Sequence, residues 1–382
     1  MKTVSLRLVG LLGFLALTHP ADAQQPQPAR PPSRFDAWDT NKDGKLAKDE
    51  LPAALRKNFE RVDTDGDGYV SREEDAAVGR GRQPRPTSAG RQAPVPDGVK
   101  KVADLDYAGN DNPRQKLDLY LPEKPATEEA LPVIAFVHGG GWRNGDKNGG
   151  GGRVTPFVAT GRYAGVSIGY RLSDEARWPA QIRDCKAAIR WIRAHAAEYR
   201  LDPDRIAVWG SSAGGHLVAM LGVSRGIADL EGDIGPNTAE SSQVACVVDY
   251  YGPTEMLTMG DHDSSFDHNA PNSPESKLLG GAVQENPEKA KSASPIEHVS
   301  ADDAPFLIVH GDQDKVVPYP QSADFEKKLE SAGVPAVLIR VEGGGHGQGF
   351  GPATGEAVKS FLARQLLGEG DGVADGAVKA GE

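Results

Sequence analysis

The stretch RIAVWGSSAGGHLVAML, residues 205–221, decides the reading of this chain. Arg205 to Trp209 has the apolar, β-branched character of a short buried strand, and Gly215 to Leu221 reads as a helix. Between them, Gly210-Ser211-Ser212-Ala213-Gly214 is a G-x-S-x-G turn. A serine at the centre of a tight strand-to-helix turn projects its hydroxyl out of the fold, and small residues at both ends let the backbone take the strained path. Ser212 is therefore a candidate nucleophile, and the chemistry it suggests is acyl transfer through a serine ester.

In a chain with 46 glycines, five small residues need partners before they mean anything. Leu131 to Val137 (LPVIAFV) is a continuous apolar run, as expected of a parallel strand buried on both faces, and it leads into His138-Gly139-Gly140-Gly141-Trp142. Pro305 to Val309 (PFLIV) leads into His310-Gly311-Asp312-Gln313-Asp314, and Ala336 to Val341 (AVLIRV) leads into Gly343-Gly344-Gly345-His346-Gly347. Serine, carboxylate and histidine thus follow strands, in that chain order. Of the nine histidines, His346 has the position of a base. His216, four residues beyond Ser212, reads as a packed helix residue, His138 as a residue that orders the glycine loop, and His310 as the end of a strand. His262 and His268 fall in a polar segment without metal-ligand spacing. For the acid, Asp314, Asp312 and Asp249 all stand near strand ends.

The motifs GGGWRNGD (139–146), YRLS (170–173), GSSAGGHL (210–217) and HGDQDKVVP (310–318) resemble the α/β-hydrolase superfamily, in its secreted esterase and lipase branch with HGGGW and GxSAGG. Within it, the chain is most similar to acetyl-esterase and feruloyl-esterase-like carbohydrate esterases. The resemblance spans about residues 98–367. Ser211 departs from the hormone-sensitive-lipase group, which has Asp at that place. The resemblance selects Asp314 as the acid, implies a Ser212–His346–Asp314 triad, and assigns the oxyanion hole to the backbone N–H groups of Gly140, Gly141 and Ala213. It implies a carboxylic ester hydrolase that needs no catalytic cofactor, with acetyl or feruloyl esters of carbohydrates as the expected substrates. The rival readings are a serine peptidase of the same fold and a calcium-dependent adhesion or docking protein with an inactive hydrolase scaffold. Met256 to Lys291 reads as a lid or acceptor-binding loop, and Trp142 and Trp178 either offer stacking surfaces or pack internally.

The fold expected is α/β, a mainly parallel eight-stranded sheet flanked by helices. Lys101 to Tyr107 and Gln115 to Leu121 read as an opening hairpin; strands at 132–138, 164–170, 205–209, 244–250, 305–310 and 336–341 then alternate with helical segments, including 179–199, 323–332 and 354–367. The Gly-rich acidic tail, 368–382, reads as disordered.

Upstream, residues 1–23 read as a signal peptide: Lys2 and Arg7 precede the apolar Leu8 to Leu17, and Ala21-Asp22-Ala23 supplies an A-x-A cleavage site. The expectation is a secreted or periplasmic protein with no transmembrane segment after cleavage, since the apolar run is too short for a span. Residues 24–34 form a Pro/Gln-rich spacer and 79–97 a Pro/Gly/Arg linker. The net charge of minus 11 argues against nucleic acid as a partner, because such binding rests on neutralising phosphates with Lys and Arg. Cys185 and Cys246, the two cysteines, read as buried small hydrophobes, although the expected compartment permits a disulfide.

Residues 35–78 carry two near-repeats that match the twelve-residue EF-hand loop. In the first, Asp39, Asn41, Asp43, Lys45 (through its carbonyl) and Glu50 occupy ligand positions; in the second, Asp63, Asp65, Asp67, Tyr69 (carbonyl) and Glu74 do so. Alternating oxygen ligands with glycine at the bend, Gly44 and Gly68, suit Ca2+, in a structural or regulatory role. The loops begin 24 residues apart, at Asp39 and Asp63, which leaves Leu51 to Val62 as one shared helix of a small all-α module. Leu46 and Val70 would pair across the loops, over a core of Phe35, Trp38, Leu51, Leu55, Phe59 and Val62.

Overall fold

The computed structural model describes residues 35, 38–51, 56, 59–63, 67–72, 74 and 94–382. The expected signal peptide, spacer, Leu55, Asp65 and most of the expected linker lie outside them. Two compact units, Met1–Pro84 and Arg85–Glu382, divide the chain.

In the N-terminal unit, β1 (Lys45–Leu46) and β2 (Val70–Ser71) pair antiparallel, with Leu46 opposite Val70 and Lys45 opposite Ser71. Phe35, Leu46, Leu51, Phe59 and Val70 are buried together, and Trp38 and Val62 pack on them. The small helical unit thus carries a short ladder between its loops: the apolar residue at position 8 of each loop is drawn into a shared core, and this brings the two backbones into ladder distance.

The C-terminal unit is built on β3 (Val99–Asp106), β4 (Lys116–Pro122), β5 (Leu131–Val137), β6 (Ala164–Ile168), β7 (Leu201–Ser211), β8 (Cys246–Tyr250), β9 (Phe306–Gly311), β10 (Ala336–Glu342) and β11 (Gly376–Lys379). They form one sheet in the order β11-β10-β9-β8-β7-β5-β6-β4-β3. β4 pairs antiparallel with both β3 and β6, and every other pairing is parallel. All eight expected strands are present. The ninth, β11, comes from the tail expected to be disordered. Its glycine-rich, acidic composition hides a strand that takes its partner from elsewhere, running parallel to β10 from Ile339↔Gly376 to Glu342↔Lys379. The Asp375 carboxylate fastens its start by accepting from the Leu338 N–H at 2.9 Å.

Side chains alternate across this sheet, so each strand feeds two cores. Val133, Ala135, Val137, Ile206 and Val208 face α2 (Ala180–Ala194), α3 (Ala213–Val223) and α6 (Pro320–Ser331). Ile134, Phe136, Trp209, Leu307 and Val309 face α1 (Gly151–Val158) and α7 (Pro352–Leu367). Two shorter helices, α4 (Pro274–Leu279) and α5 (Pro287–Ser292), lie in the connection between β8 and β9. Cys185 and Cys246 are both fully buried free thiols, in the two different cores, which agrees with their reading as hydrophobes. Among the described residues, no helix is long and apolar enough to cross a membrane.

The order of the central strands positions the site. From β5 the chain moves outward to β6 and then returns to β7 on the other side of β5, so β5 and β7 are neighbours with their connections leaving in opposite directions. A crevice opens at the carboxyl ends of strands where the order reverses in this way. The loop after β5 and the turn after β7 both lie there.

Candidate active site

Ser212 follows β7 with φ 56° and ψ −126°, a conformation L-residues rarely adopt, and begins the turn into α3. The motif glycines are needed for space. A methyl group on Gly210 would meet the Gly214 carbonyl oxygen at 2.2 Å, and one on Gly214 would meet the Val137 carbonyl oxygen at 2.2 Å. The elbow is held by the Ser212 N–H, which donates to the Tyr250 carbonyl at 2.8 Å.

The structure brings Ser212, His346 and Asp314 together. His346 Nε2 lies 3.0 Å from Ser212 Oγ, and His346 Nδ1 lies 2.7 Å from Asp314 Oδ2. The carboxylate can only accept, so Nδ1 carries the proton and Nε2 is left bare toward the serine hydroxyl. Asp314 is itself fixed: its Oδ1 accepts from the Val316 and Val317 N–H groups at 2.7 and 3.0 Å. Burial drives its pKa up, but hydrogen bonds from His310 and His346, the charge on His346 and the Val316 N–H outweigh it and hold the carboxyl below the usual carboxylate range.

The other two carboxylates are engaged elsewhere. Asp312 Oδ1 accepts from the Gly343 N–H at 2.9 Å and anchors the start of the histidine loop. Asp249 is fully buried and accepts from the Gly252 N–H, and burial raises its pKa to about 7.

The loop after β5 carries Gly140 and Gly141, both at positive φ. Their N–H groups meet no acceptor among the described residues, and Ala213 is the first residue of α3, where helical amides are left unpaired. The three face one cleft of about 470 Å³ that also exposes Ser212, Tyr251, Phe266 and His346. Such a set of free donors beside a serine can stabilise an oxyanion.

The loop is held by packed residues whose pairing the sequence did not show. Trp142 is buried, and its Nε1–H donates to His216 Nδ1 at 3.1 Å. His216 Nε2 donates in turn to the Ala293 carbonyl at 2.7 Å, and burial lowers its pKa to about 4, so the ring is neutral. Trp178 is buried against the same imidazole, so neither tryptophan offers a stacking face to solvent. His310 stands behind Asp314, with Nε2 at 3.4 Å from Oδ2 and at 2.9 Å from the Val317 carbonyl. Tyr251, with its ring centroid 4.6 Å from that of His346, flanks the base. The only sequence signal for His310 was its place in HGDQD. Nothing local distinguished Tyr251.

In the N-terminal unit the expected metal ligands are oxygen carriers turned onto their own loops. Asp39 Oδ2 accepts from the Gly44 N–H and Asp63 Oδ2 from the Gly68 N–H, both at 3.0 Å, the same position-one to position-six bond in each repeat. Asn41 and Asp43 lie beside Asp39, with Asp43 N–H donating to Asn41 Oδ1. Glu50 Oε2 accepts from the Ala47 N–H and Glu74 Oε2 from the Ser71 N–H, each at 2.9 Å, so both twelfth-position carboxylates fold back over their loops. The Lys45 ammonium meets Asp67 at 2.9 Å. Asp65 lies outside the described residues. An all-oxygen donor set around a glycine bend fits a hard divalent cation.

Comparison with known proteins gives the context. The EF hand family model matches residues 55–74. Esterase LipC of Mycobacterium tuberculosis is 34% identical over 244 residues, 62% of this chain and 58% of LipC. The chain spans little more than half the length of the curated relatives it matches. A solved truncated carbohydrate esterase from gut microbiota is 36% identical with a TM-score of 0.66, covering 70% of this chain and 96% of that one. A bifunctional GH43-CE protein of Bacteroides eggerthii is 34% identical with a TM-score of 0.63, covering 70% of this chain and 35% of that one. The BD-FAE family model matches residues 117–329, more than half of the chain and the whole of the elbow, glycine loop and acid turn, so the chain belongs to the BD-FAE family of α/β-hydrolase-fold esterases.

Proposed function

We propose that this protein hydrolyses carboxylic esters of carbohydrates by a serine acyl-enzyme mechanism. The single observation that carries the proposal is the continuous hydrogen-bond relay Ser212 Oγ, His346, Asp314 at 3.0 and 2.7 Å. As Ser212 Oγ forms its bond to the acyl carbon, its proton passes to His346 Nε2, and the carbonyl electron pair moves onto oxygen. The amides of Gly140, Gly141 and Ala213 receive that oxyanion. Collapse of the tetrahedral intermediate expels the alcohol, which takes the proton from His346. Water, deprotonated by the same nitrogen, then cleaves the acyl-serine and releases the acid. Throughout, Asp314 fixes the tautomer and stabilises the imidazolium.

Acetyl or feruloyl groups on sugars are the proposed acyl parts, supported by the similarity to a solved carbohydrate esterase. Export through a signal peptide ending at Ala23 is proposed from the A-x-A pattern, and N-terminal sequencing of the exported protein should begin at Gln24. The EF-hand pair is proposed to bind Ca2+, which would hold the two loops together and supply folding free energy to the small unit. The test of the catalytic reading is p-nitrophenyl acetate hydrolysis by the wild type and by Ser212→Ala. A loss of about 10⁴-fold or more is expected, and equal rates would refute the proposal.

A further inference from the structure

Part of the wall of the cleft comes from the long connection between β8 and β9, and it contains a buried acid that the ester-cleaving steps do not use. Glu275, in the first turn of α4, lines the cleft that exposes Ser212 and His346, and it is only 3% exposed. The neighbouring Pro274 abuts the glycine loop: a methyl group on Gly141 would meet Pro274 Cβ at 3.3 Å. The two oxygens of Glu275 differ. Oε1 accepts from Nδ1 of His268, itself 1% exposed, at 3.1 Å. Oε2 is closed off from bulk solvent and has no hydrogen-bond partner among the described residues. The pair is braced by Ser264, whose Oγ lies 2.9 Å from His268 Nε2 and 3.0 Å from the Lys315 carbonyl. Phe266 packs on His268 at 4.3 Å between ring centroids and is one of the exposed large apolar side chains, with its ring at the same cleft.

A buried carboxylate oxygen without a donor is costly, and Oε2 has none among the described residues. A ligand can bring the donor by drawing the Glu275 carboxylate toward the cleft on binding, since Oε2 has no open surface in the unliganded site. The exposed Arg143 at the same cleft disfavours a cation, which leaves a neutral hydroxyl. An apolar ring face beside a hydrogen-bond acceptor is the pairing that a sugar presents a complement to, with its C–H face and its hydroxyl edge. We infer that Glu275, held by His268, is a specificity-determining residue that accepts a hydrogen bond from a free hydroxyl on the sugar adjoining the scissile ester, with Phe266 against the sugar's apolar face. This rests on the ester-hydrolase reading and adds to it the part of the substrate that is recognised. The signal was hidden in the sequence because His268 and Glu275 are separated by seven residues in a stretch with no periodicity.

The test compares two esters: methyl mono-O-acetyl-β-D-xylopyranoside and the ring analogue that lacks the neighbouring hydroxyls. For the wild type, kcat/KM should favour the hydroxylated ester by about 10- to 100-fold, the range for a hydrogen bond to a charged group. In Glu275→Ala that ratio should fall to within about threefold of parity. No preference in the wild type, or the full preference retained in Glu275→Ala, overturns the inference. The wild-type comparison needs no variant, so a folding defect in Glu275→Ala does not blunt it. If the wild type cleaves p-nitrophenyl acetate but shows no preference, only the inference fails; if it cleaves no ester faster than Ser212→Ala, the ester-hydrolase reading fails with it.

Discussion

Replacing Asp314 with Asn exchanges one oxygen for an NH2 group and tests the relay at its base. In the native site Oδ1 is committed to the Val316 and Val317 N–H groups, so the Asn carbonyl oxygen takes that position and the amide nitrogen faces His346 Nδ1. Two donors cannot share a 2.7 Å contact, so His346 must move its proton to Nε2. That nitrogen, 3.0 Å from Ser212 Oγ, then donates and cannot accept the serine proton. A wrong tautomer in an otherwise intact triad costs about 10⁴-fold in kcat, which is about 5.5 kcal/mol of barrier. His310 Nε2, 3.4 Å from Oδ2 and 2.9 Å from the Val317 carbonyl, is a donor toward both and so offers the amide nitrogen no acceptor. The assay is steady-state hydrolysis of p-nitrophenyl acetate at pH 7.5, with thermal melting to verify the fold. Asp312→Asn serves as the comparison. Its carboxylate oxygen accepts from Gly343 N–H, which the Asn carbonyl can still do, so most activity should remain. Retention of more than about a tenth of kcat in Asp314→Asn, or an equal loss in Asp312→Asn, would refute this assignment of the acid.

Two further outcomes follow from groups away from the relay. Burial lifts Asp249 to about pKa 7, so below about pH 4 it is protonated in both folded and unfolded chains, and between about pH 4 and 7 only the unfolded chain ionises. Stability should therefore fall by about 1.4 kcal/mol per pH unit across that window, and Asp249→Asn, neutral throughout, should gain up to about 4 kcal/mol on the wild type between pH 4 and pH 8 in denaturant titrations; a difference that does not change with pH would show that Asp249 is not buried as a neutral acid. In the full-length chain, Glu50→Gln with Glu74→Gln should weaken Ca2+ binding by calorimetry about tenfold or more, because the twelfth-position carboxylate closes the ligand shell with two oxygens; unchanged affinity would remove the EF-hand reading.

What the sequence determined by itself was everything set within a dozen residues. The elbow at 210–214, the glycine run at 139–141, each EF-hand loop and the eight strands are local patterns, because the strand period, the tight turn and the helix that follows are properties of consecutive residues. Chain order and the histidine's setting were enough to name Ser212 and His346. The tertiary structure decided the relations between distant segments. Asp312 and Asp314 differ by two positions on one turn, and only the path of that turn sends one carboxylate to Gly343 and the other to a histidine 32 residues away. Trp142 depends on His216 from another segment, and Glu275 depends on His268 across an aperiodic loop. The tail shows the same limit most clearly: residues 376–379 have no strand-like composition and become a strand because β10 presents an open edge beside them. Local chemistry can be read from neighbours in sequence. Partnership across the fold depends on where the backbone carries each group, and that is a property of the packed chain.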